Sequence, residues 1–65
     1  MKIGIIGAGL IGLKRAQNLK KNKLAIVSDI SQKKINFFKK KFNCRISTDY
    51  NDVINSDVKI IIICT

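Results

Sequence analysis

Histidine is absent from this sequence of 65 residues, and cysteine occurs only at Cys44 and Cys64. Two cysteines without histidine are too few ligands for a zinc site, so the sequence predicts no metal site. Free cysteines in or beside strands behave as small apolar residues, and we expect no disulfide between these two. No run of about 20 uninterrupted apolar residues occurs, so neither a membrane-spanning helix nor a membrane partner is predicted.

Acidic residues are also scarce, because four aspartates and no glutamate stand against 13 lysines and arginines, for a formal net charge of +9. Such a balance often indicates a nucleic-acid-binding protein. Eleven of the cations are lysines, however, and most lie where exposed helix faces are predicted. No arginine–aromatic interleaving offers a surface on which bases stack. We therefore expect solvated helix faces and no nucleic-acid partner.

Glycine is missing from the last 53 residues, since all four glycines lie within the first twelve. Gly7, Gly9 and Gly12 form the pattern G-x-G-x-x-G between an apolar run at 2–6 and a helix-like stretch. Asp29 follows Gly12 by 17 residues, at the end of a second apolar run. A strand, a glycine turn, a helix, a strand and an acid in this order form the dinucleotide-binding fingerprint.

Each residue of this fingerprint has a physical role. Gly7 allows a sharp turn, Gly9 lets the backbone approach a pyrophosphate, and Gly12 lets the helix pack closely. The free N–H groups and the dipole at the start of the helix attract phosphates. Asp29 can accept hydrogen bonds from ribose hydroxyls, and it repels a 2′-phosphate, which favours NAD over NADP.

The residues beside the glycine turn also bear on other interpretations of it. Gly7 and Gly12 also fit a P-loop, but Leu13 and Lys14 stand where that motif requires Lys followed by Ser or Thr. A secretory signal from Lys2 to Leu13 lacks a small-residue cleavage site. A glycine turn of an α/β protein that binds no nucleotide remains an alternative.

The hydrophobic pattern predicts seven alternating elements. A stripe of Gly12, Leu13, Ala16 and Leu19 marks the buried face of the first helix, and Ser31 and Thr48 are predicted caps for the later helices. The four consecutive isoleucines, residues 60–63, predict a central strand that is buried on both faces. The predicted strands are 2–6, 24–28, 44–46 and 58–64, and the predicted helices are 10–21, 32–42 and 50–54.

This order predicts an α/β, Rossmann-like parallel sheet of about four strands in the order 3-2-1-4, with flanking helices. The carboxyl ends of strands 1 and 4 then open a crevice that takes the cofactor. We expect NAD, with NADP not excluded because Lys33 or Lys34 could approach a 2′-phosphate. The predicted cofactor-binding residues are Gly7, Ala8, Gly9, Leu10, Ile11, Gly12, Asp29, Ile30, Cys64 and Thr65.

A chain of this length has room for only one βαβαβ half of a dinucleotide-binding fold. It also reaches its last residue in or just after an apolar strand. We therefore expect residues 1–65 to form the N-terminal part of a dinucleotide-binding domain. The remainder of that domain and a substrate domain would lie outside this chain. A genuine miniprotein is the alternative.

Six segments across the whole chain are similar to one known family. The most telling is the run from Thr48 to Ile54, with the sequence TDYNDVI, which is followed by an apolar strand that reaches Thr65. The chain resembles the N-terminus of the glucose–fructose oxidoreductase and inositol dehydrogenase (Gfo/Idh/MocA) family. The segments that carry the resemblance are 5–12, 14–16, 26–30, 42–44, 47–54 and 58–65.

The resemblance implies a cytoplasmic, homo-oligomeric oxidoreductase that transfers hydride between NAD(P) and a small-molecule substrate, either a sugar, a polyol or a related compound. It implies pyrophosphate at Gly7–Gly12, ribose at Asp29, and a crevice wall at Cys64 and Thr65. Where the family often has histidine soon after the third glycine, this chain has Lys14–Ala16. The family's Glu-Lys-Pro motif carries the expected acid/base lysine and would follow Thr65. We therefore predict no catalytic residue in this chain, and no turnover by it alone.

Three other functions remain open at this point. One is another NAD(P) dehydrogenase class with the same first half, such as an amino-acid or prephenate dehydrogenase. A second is a non-catalytic, NAD-sensing regulatory domain of the potassium-transport type, whose segment after strand 3 usually differs from Thr48–Ile54. A third is a methyltransferase, whose glycine loop also precedes an acid.

Overall fold

A computed structural model describes residues 1–64 of the chain. Strands and helices alternate along the sequence, and every strand pairing is parallel, in the order β3-β2-β1-β4. The predicted fold class and strand order are therefore confirmed. The elements are β1 (Lys2–Ile6), α1 (Leu10–Gln17), β2 (Lys23–Ser28), α2 (Gln32–Phe42), β3 (Arg45–Ser47), α3 (Asn51–Ile54) and β4 (Ile60–Ile63).

The main core lies between the sheet and the helices α1 and α2. Ile3 and Ile5 of β1 and Val27 of β2 pack there against Ile35 and Phe38 of α2. Ile35 and Phe38 are three residues apart, which places both on one face of a helix. The predicted bounds of β1 and α2 are confirmed. β1 is marked by its apolar run, and α2 by a cap and an apolar face.

The cap of α2 is the one that the sequence predicts. The Ser31 hydroxyl accepts the N–H of Lys34 at 3.3 Å. Asn43 ends the helix in the left-handed conformation, at a φ of 53°, and its N–H donates to the carbonyl oxygen of Lys39. Asparagine tolerates this conformation better than most residues do, so it ends the helix at little cost.

The prediction that α1 extends to residue 21 is wrong. The helix ends at Gln17, and the side-chain amide of Asn18 donates to the carbonyl oxygen of Lys14 at 2.7 Å. Lys20 has a φ of 56°, which is incompatible with a continuing helix. The chain must turn there to reach β2, where the N–H of Lys23 donates to the carbonyl oxygen of Met1. Of the predicted α1 stripe, the structure buries Gly12 and Ala16 and half-buries Leu13 and Leu19.

The short helix α3 begins one residue later than predicted and has a different cap. The carboxylate of Asp49, not the hydroxyl of Thr48, accepts the N–H of Asn51 at 2.9 Å. α3 lies on the opposite face of the sheet from the main core, because its buried Val53 faces Gly4 and residues alternate between faces along β1. A Cβ atom on Gly4 would lie 2.7 Å from Cγ1 of Val53, so this glycine allows the close approach.

The prediction that the four isoleucines form a central strand, buried on both faces, is wrong for this chain. β4 covers Ile60–Ile63 rather than 58–64, and it lies at one edge of the described sheet, paired with β1. Ile63 is 70% exposed, because no element within residues 1–64 packs over it. A run of isoleucines indicates that a strand is apolar, but it does not indicate where in the sheet that strand lies.

Smaller shifts affect the middle strands. β2 begins one residue earlier than predicted, and β3 is Arg45–Ser47 rather than 44–46. Cys44 precedes β3, and its thiol is buried in the core, where it donates to the carbonyl oxygen of Phe38 and burial raises its pKa. No helix within residues 1–64 is long and apolar enough to cross a bilayer.

Candidate functional site

A crevice of about 410 Å³ opens at the carboxyl ends of the strands. Parallel sheets of this topology bind ligands at the carboxyl ends of their strands, beside the point where the strand order reverses. A second hollow of about 580 Å³ lies at the amino ends of the strands and contains no residue of the glycine turn. The crevice residues are Ile6, Gly7, Gly9, Ser28, Asp29, Ile30, Lys34, Thr48, Tyr50 and Cys64.

The three glycines of the turn have three different environments. Gly7 has a φ of 109°, in the region that favours glycine, and its N–H donates to the carbonyl oxygen of Ser28 at 2.8 Å. A Cβ atom on Gly12 would overlap the carbonyl oxygen of Gly7, so Gly12 allows α1 to lie close to the turn. A Cβ atom on Gly9 would meet nothing within 4 Å, because this residue faces open space at the crevice.

The start of α1 leaves backbone donors without helical acceptors. The first helical hydrogen bond joins the N–H of Leu13 to the carbonyl oxygen of Gly9 at 2.9 Å, so the N–H groups of Leu10, Ile11 and Gly12 precede it. Gly9 supplies no side-chain cap, and the first turn contains no acid. The positive end of the helix is therefore free to attract an anion.

Asp29 is held by the backbone on both sides of its carboxylate. Its Oδ2 atom accepts the N–H of Ala8, and its Oδ1 atom accepts the N–H of Ser31, each at 2.8 Å. These two bonds, with that of Ala8 the stronger cause, lower the pKa of Asp29, and the charge of Lys34 lowers it further. The carboxylate is thus ionised and fixed in orientation at neutral pH. Each of its oxygens retains a lone pair that can accept a further hydrogen bond.

The structure brings together only some of the predicted site residues. Ala8 is buried, and its N–H is engaged by Asp29. Leu10 and Ile11 are exposed at the start of α1 rather than lining the crevice. The predicted residues that do line the crevice are Gly7, Gly9, Asp29, Ile30 and Cys64.

Two of these crevice residues have contrasting surroundings. Ile30 is 93% exposed, although its side chain is large and apolar. Cys64 is half-buried, and its N–H donates to the carbonyl oxygen of Ile6 at 2.8 Å. The prediction for Thr65 lies outside the described residues. The roles of all ten predicted residues in holding a cofactor remain predictions.

Sequence reasoning missed five residues of the crevice as site residues, the first of which is Ile6 at the end of β1. Thr48 and Tyr50 follow β3, and a position just after a parallel strand was the signal that could have found them. Lys34 was named only as a possible neighbour of a 2′-phosphate. Ser28 carried no signal, because its serine lies within an apolar strand.

Ser28 has an unusual environment for a polar residue. It is 1% exposed, and within residues 1–64 its hydroxyl oxygen has no hydrogen-bond partner. An unpaired buried hydroxyl costs about 1–3 kcal/mol. Departures of this kind from the rules of folding are most common at functional sites, which agrees with the position of Ser28 in the crevice wall.

Comparison with known families decides between the open alternatives. A family model for Gfo/Idh/MocA, described as an oxidoreductase family with an NAD-binding Rossmann fold, matches residues 1–65. The chain belongs to this family. Its cofactor is therefore NAD, as the glycine turn and Asp29 predict. Membership in the Gfo/Idh/MocA family also favours an oxidoreductase over a nucleotide-sensing regulatory domain.

Solved structures share the fold of this Gfo/Idh/MocA chain. A probable dehydrogenase from Thermotoga maritima is 29% identical, with a TM-score of 0.90, and the match covers 100% of this chain and 21% of that one. A scyllo-inositol dehydrogenase from Lactobacillus casei, solved with NAD(H) and scyllo-inositol, is 24% identical, with a TM-score of 0.88 and the same coverage.

A third solved structure is the WlbA dehydrogenase from Chromobacterium violaceum, in complex with NADH and UDP-GlcNAcA. It is 20% identical, with a TM-score of 0.89, and the match covers 100% of this chain and 20% of that one. The chain thus spans about a fifth of the length of these solved chains. No curated protein matches it.

Proposed function

We propose that residues 1–65 form the first part of the NAD-binding domain of a dehydrogenase. The full-length protein would transfer hydride between NAD and a sugar, a polyol or a related substrate. Family membership supports the oxidoreductase chemistry, and structures with scyllo-inositol and UDP-GlcNAcA support the substrate class. The coverage of only about a fifth of those chains supports a longer protein, with the acid/base and substrate residues outside this segment.

One observation carries the proposal: the crevice combines an uncapped helix start, open space at Gly9 and an ionised carboxylate. A dinucleotide needs a donor cradle for its pyrophosphate and an acceptor for a ribose hydroxyl. The N–H groups of Leu10, Ile11 and Gly12 would supply the donors, and Asp29 would supply the acceptor. The residues present therefore fit the cofactor.

The remaining crevice residues would orient the cofactor rather than react with it. Ile30 would cover an apolar part of the adenosine, which would shield a side chain that is otherwise almost fully exposed. Cys64, and Thr65 after it, would form the wall beside the glycine turn. When bound, NAD supplies the hydride chemistry, and the protein supplies binding and orientation.

Calorimetric titration of the full-length protein with NAD tests this proposal. The variant Asp29→Ala should weaken NAD binding by about tenfold, since it removes a charged acceptor worth roughly 1.5 kcal/mol or more. It should also lower the ratio of NAD to NADP affinity, because the carboxylate repels a 2′-phosphate. An unchanged ratio would refute the assignment of the ribose to Asp29.

Asp57 offers a matched control for the loss of a carboxylate. It lies near the amino ends of the strands, away from the crevice, and its Oδ2 atom is 2.8 Å from Nζ of Lys2. The variant Asp57→Ala removes the same charge far from the crevice and should leave NAD affinity unchanged. Equal losses in the two variants would mean that net charge, rather than a contact at Asp29, determines the affinity.

A further inference from the structure

The hollow at the amino ends of the strands, which we call the amino-end hollow, is bordered by an excess of positive charge. Three basic residues line it, namely Lys2 at the start of β1, Lys23 at the start of β2 and Arg45 at the start of β3. Asp57, in the loop between α3 and β4, is the one acid among the residues 1–64 that line it. The hollow therefore has three cations for one anion.

The order of the strands brings these cations together. β2 lies between β1 and β3 in the sheet, so Lys23 begins the strand that separates Lys2 from Arg45. Lys2 and Lys23 are also partners in the register of β1 and β2, and neighbouring strands lie about 4.8 Å apart. Like charges at paired positions of adjacent strands repel each other. An anion beside these strand starts would relieve that repulsion.

Asp57 shows that an anionic group fits at this position. Its Oδ2 atom lies 2.8 Å from Nζ of Lys2, and its Oδ1 atom lies 3.6 Å from a terminal nitrogen of Arg45. Side chains of β1 and β3 therefore converge on one carboxylate across the start of β2. All three side chains are more than half exposed, so an anion from solvent can reach the same position.

The single carboxylate of Asp57 does not satisfy all of the surrounding cations. A separation of 3.6 Å is too long for a hydrogen bond, so the guanidinium of Arg45 retains its donors toward the hollow. Lys23 forms no ion pair with any acid of residues 1–64. Lys2 is thus compensated by Asp57, whereas Arg45 and Lys23 leave an excess of two positive charges.

We propose that the amino-end hollow binds the phosphate group of a small molecule through Arg45 and Lys23. A phosphate group carries a charge of about −1.5 to −2 at neutral pH, which matches the two uncompensated cations. The planar guanidinium of Arg45 can donate two parallel hydrogen bonds to phosphate oxygens, and the ammonium of Lys23 supplies a compact charge. The volume of about 580 Å³ lies within the range of small-molecule pockets and leaves room for an organic group beside the phosphate.

The proposed phosphate site is separate from the crevice. The amino-end hollow and the crevice share no lining residue, and they lie at opposite ends of the strands. The inference therefore does not depend on the proposed function.

Calorimetric titration of the NAD-saturated, full-length protein with inorganic phosphate tests the inference. Bound NAD would occupy the start of α1, which could otherwise attract phosphate itself. The variant Arg45→Ala should lose about tenfold in phosphate affinity, as expected for one charge-assisted contact, and Arg45→Lys should lose less. Lys23→Ala should also weaken binding. Asp57→Asn should instead raise the affinity, because it removes the carboxylate that competes for Arg45.

Lys41→Ala is a matched control for the loss of a positive charge. It removes a lysine from the last turn of α2, away from the hollow, and should leave phosphate affinity unchanged. Equal losses in Lys41→Ala and Arg45→Ala would overturn the inference. Sodium chloride of equal ionic strength serves as the reference titration, because salt screens exposed charges. Arg45 and Lys23 are exposed, so thermal unfolding of their variants should match that of the unaltered protein.

Further titrations identify the ligand and separate the two proposals. Tighter binding of glycerol 3-phosphate than of phosphate would support an ester as the ligand, and equal binding would support free phosphate. Tighter binding of citrate than of either would overturn the assignment to phosphate. A protein that binds NAD but neither phosphate nor glycerol 3-phosphate would overturn the inference and leave the proposed function standing. A protein that fails to bind NAD but loses phosphate affinity in Arg45→Ala would do the reverse.

Discussion

Two glycines of the same turn should respond in opposite ways to alanine. In Gly12→Ala, the new Cβ atom overlaps the carbonyl oxygen of Gly7. That oxygen belongs to a residue with a φ of 109° whose N–H is bonded to Ser28, so it cannot move away easily. In Gly9→Ala, the new Cβ atom meets nothing within 4 Å, and the backbone, at a φ of −82° and a ψ of −164°, suits alanine.

The magnitudes follow from these contacts. Overpacking against a rigid group costs about 1–3 kcal/mol. Alanine at a helical position such as Gly12 regains about 1 kcal/mol of helix propensity. We therefore expect Gly12→Ala to lower the free energy of unfolding by up to about 2 kcal/mol. Gly9→Ala should raise it by about 0.4–1 kcal/mol, because alanine restricts the unfolded chain.

Gly9→Ala, the more stable of the two variants, should nevertheless bind NAD poorly. The Cβ atom of Gly9→Ala enters the space proposed for the pyrophosphate, so NAD affinity should fall by tenfold or more, which corresponds to about 1.4 kcal/mol. The bulkier Gly9→Val should abolish binding. Urea unfolding measures the stabilities, and calorimetry measures the affinities. A Gly12→Ala variant more stable than the unaltered protein would refute the packing role, and normal NAD binding by Gly9→Val would refute the pyrophosphate placement.

Two further predictions concern Asp29 and Gly4. The pKa of Asp29 is lowered from 3.8, first by the N–H of Ala8, so its stabilising effect should be present above about pH 3.8 and lost as the pH falls through the lower folded value. Unfolding measured against pH should show a shallower acid limb in Asp29→Asn, and an identical limb would contradict the prediction. Gly4→Ala should lower stability by about 1–3 kcal/mol through its contact with Val53, and the double variant with Val53→Ala should cost less than the sum of the single variants. Strict additivity in unfolding experiments would contradict that contact.

The fold was predictable where local signals agree with one another. β1 lies between a polar start and the glycine turn, and α2 has a serine cap together with an apolar stripe, so the bounds of both are confirmed. The end of α1 was not predictable from helix propensity, because a tertiary requirement determines it. The chain must return to begin β2 beside β1, and Lys20 adopts a left-handed conformation to allow this.

The candidate site was predictable to a similar extent. Glycine spacing and the acid after β2 report backbone geometry and charge, which depend on residue type and position alone. The residues that sequence reasoning missed reach the crevice through the topology of the sheet. Tyr50 lies between β3 and α3, whereas Lys34 belongs to α2, and they line one crevice because β3 pairs with β2 and α2 begins beside Asp29. The position of Tyr50 just after a strand indicates the crevice, but no local pattern indicates that Lys34 lies near it.

Asp29 connects the fold to the cofactor. The sequence indicates a carboxylate for a ribose, whereas the structure shows that the same carboxylate also holds Ala8 in the glycine turn and Ser31 at the start of α2. The two functions are compatible because a carboxylate has more acceptor positions than these two bonds occupy. A substitution at Asp29 should therefore affect both stability and NAD affinity.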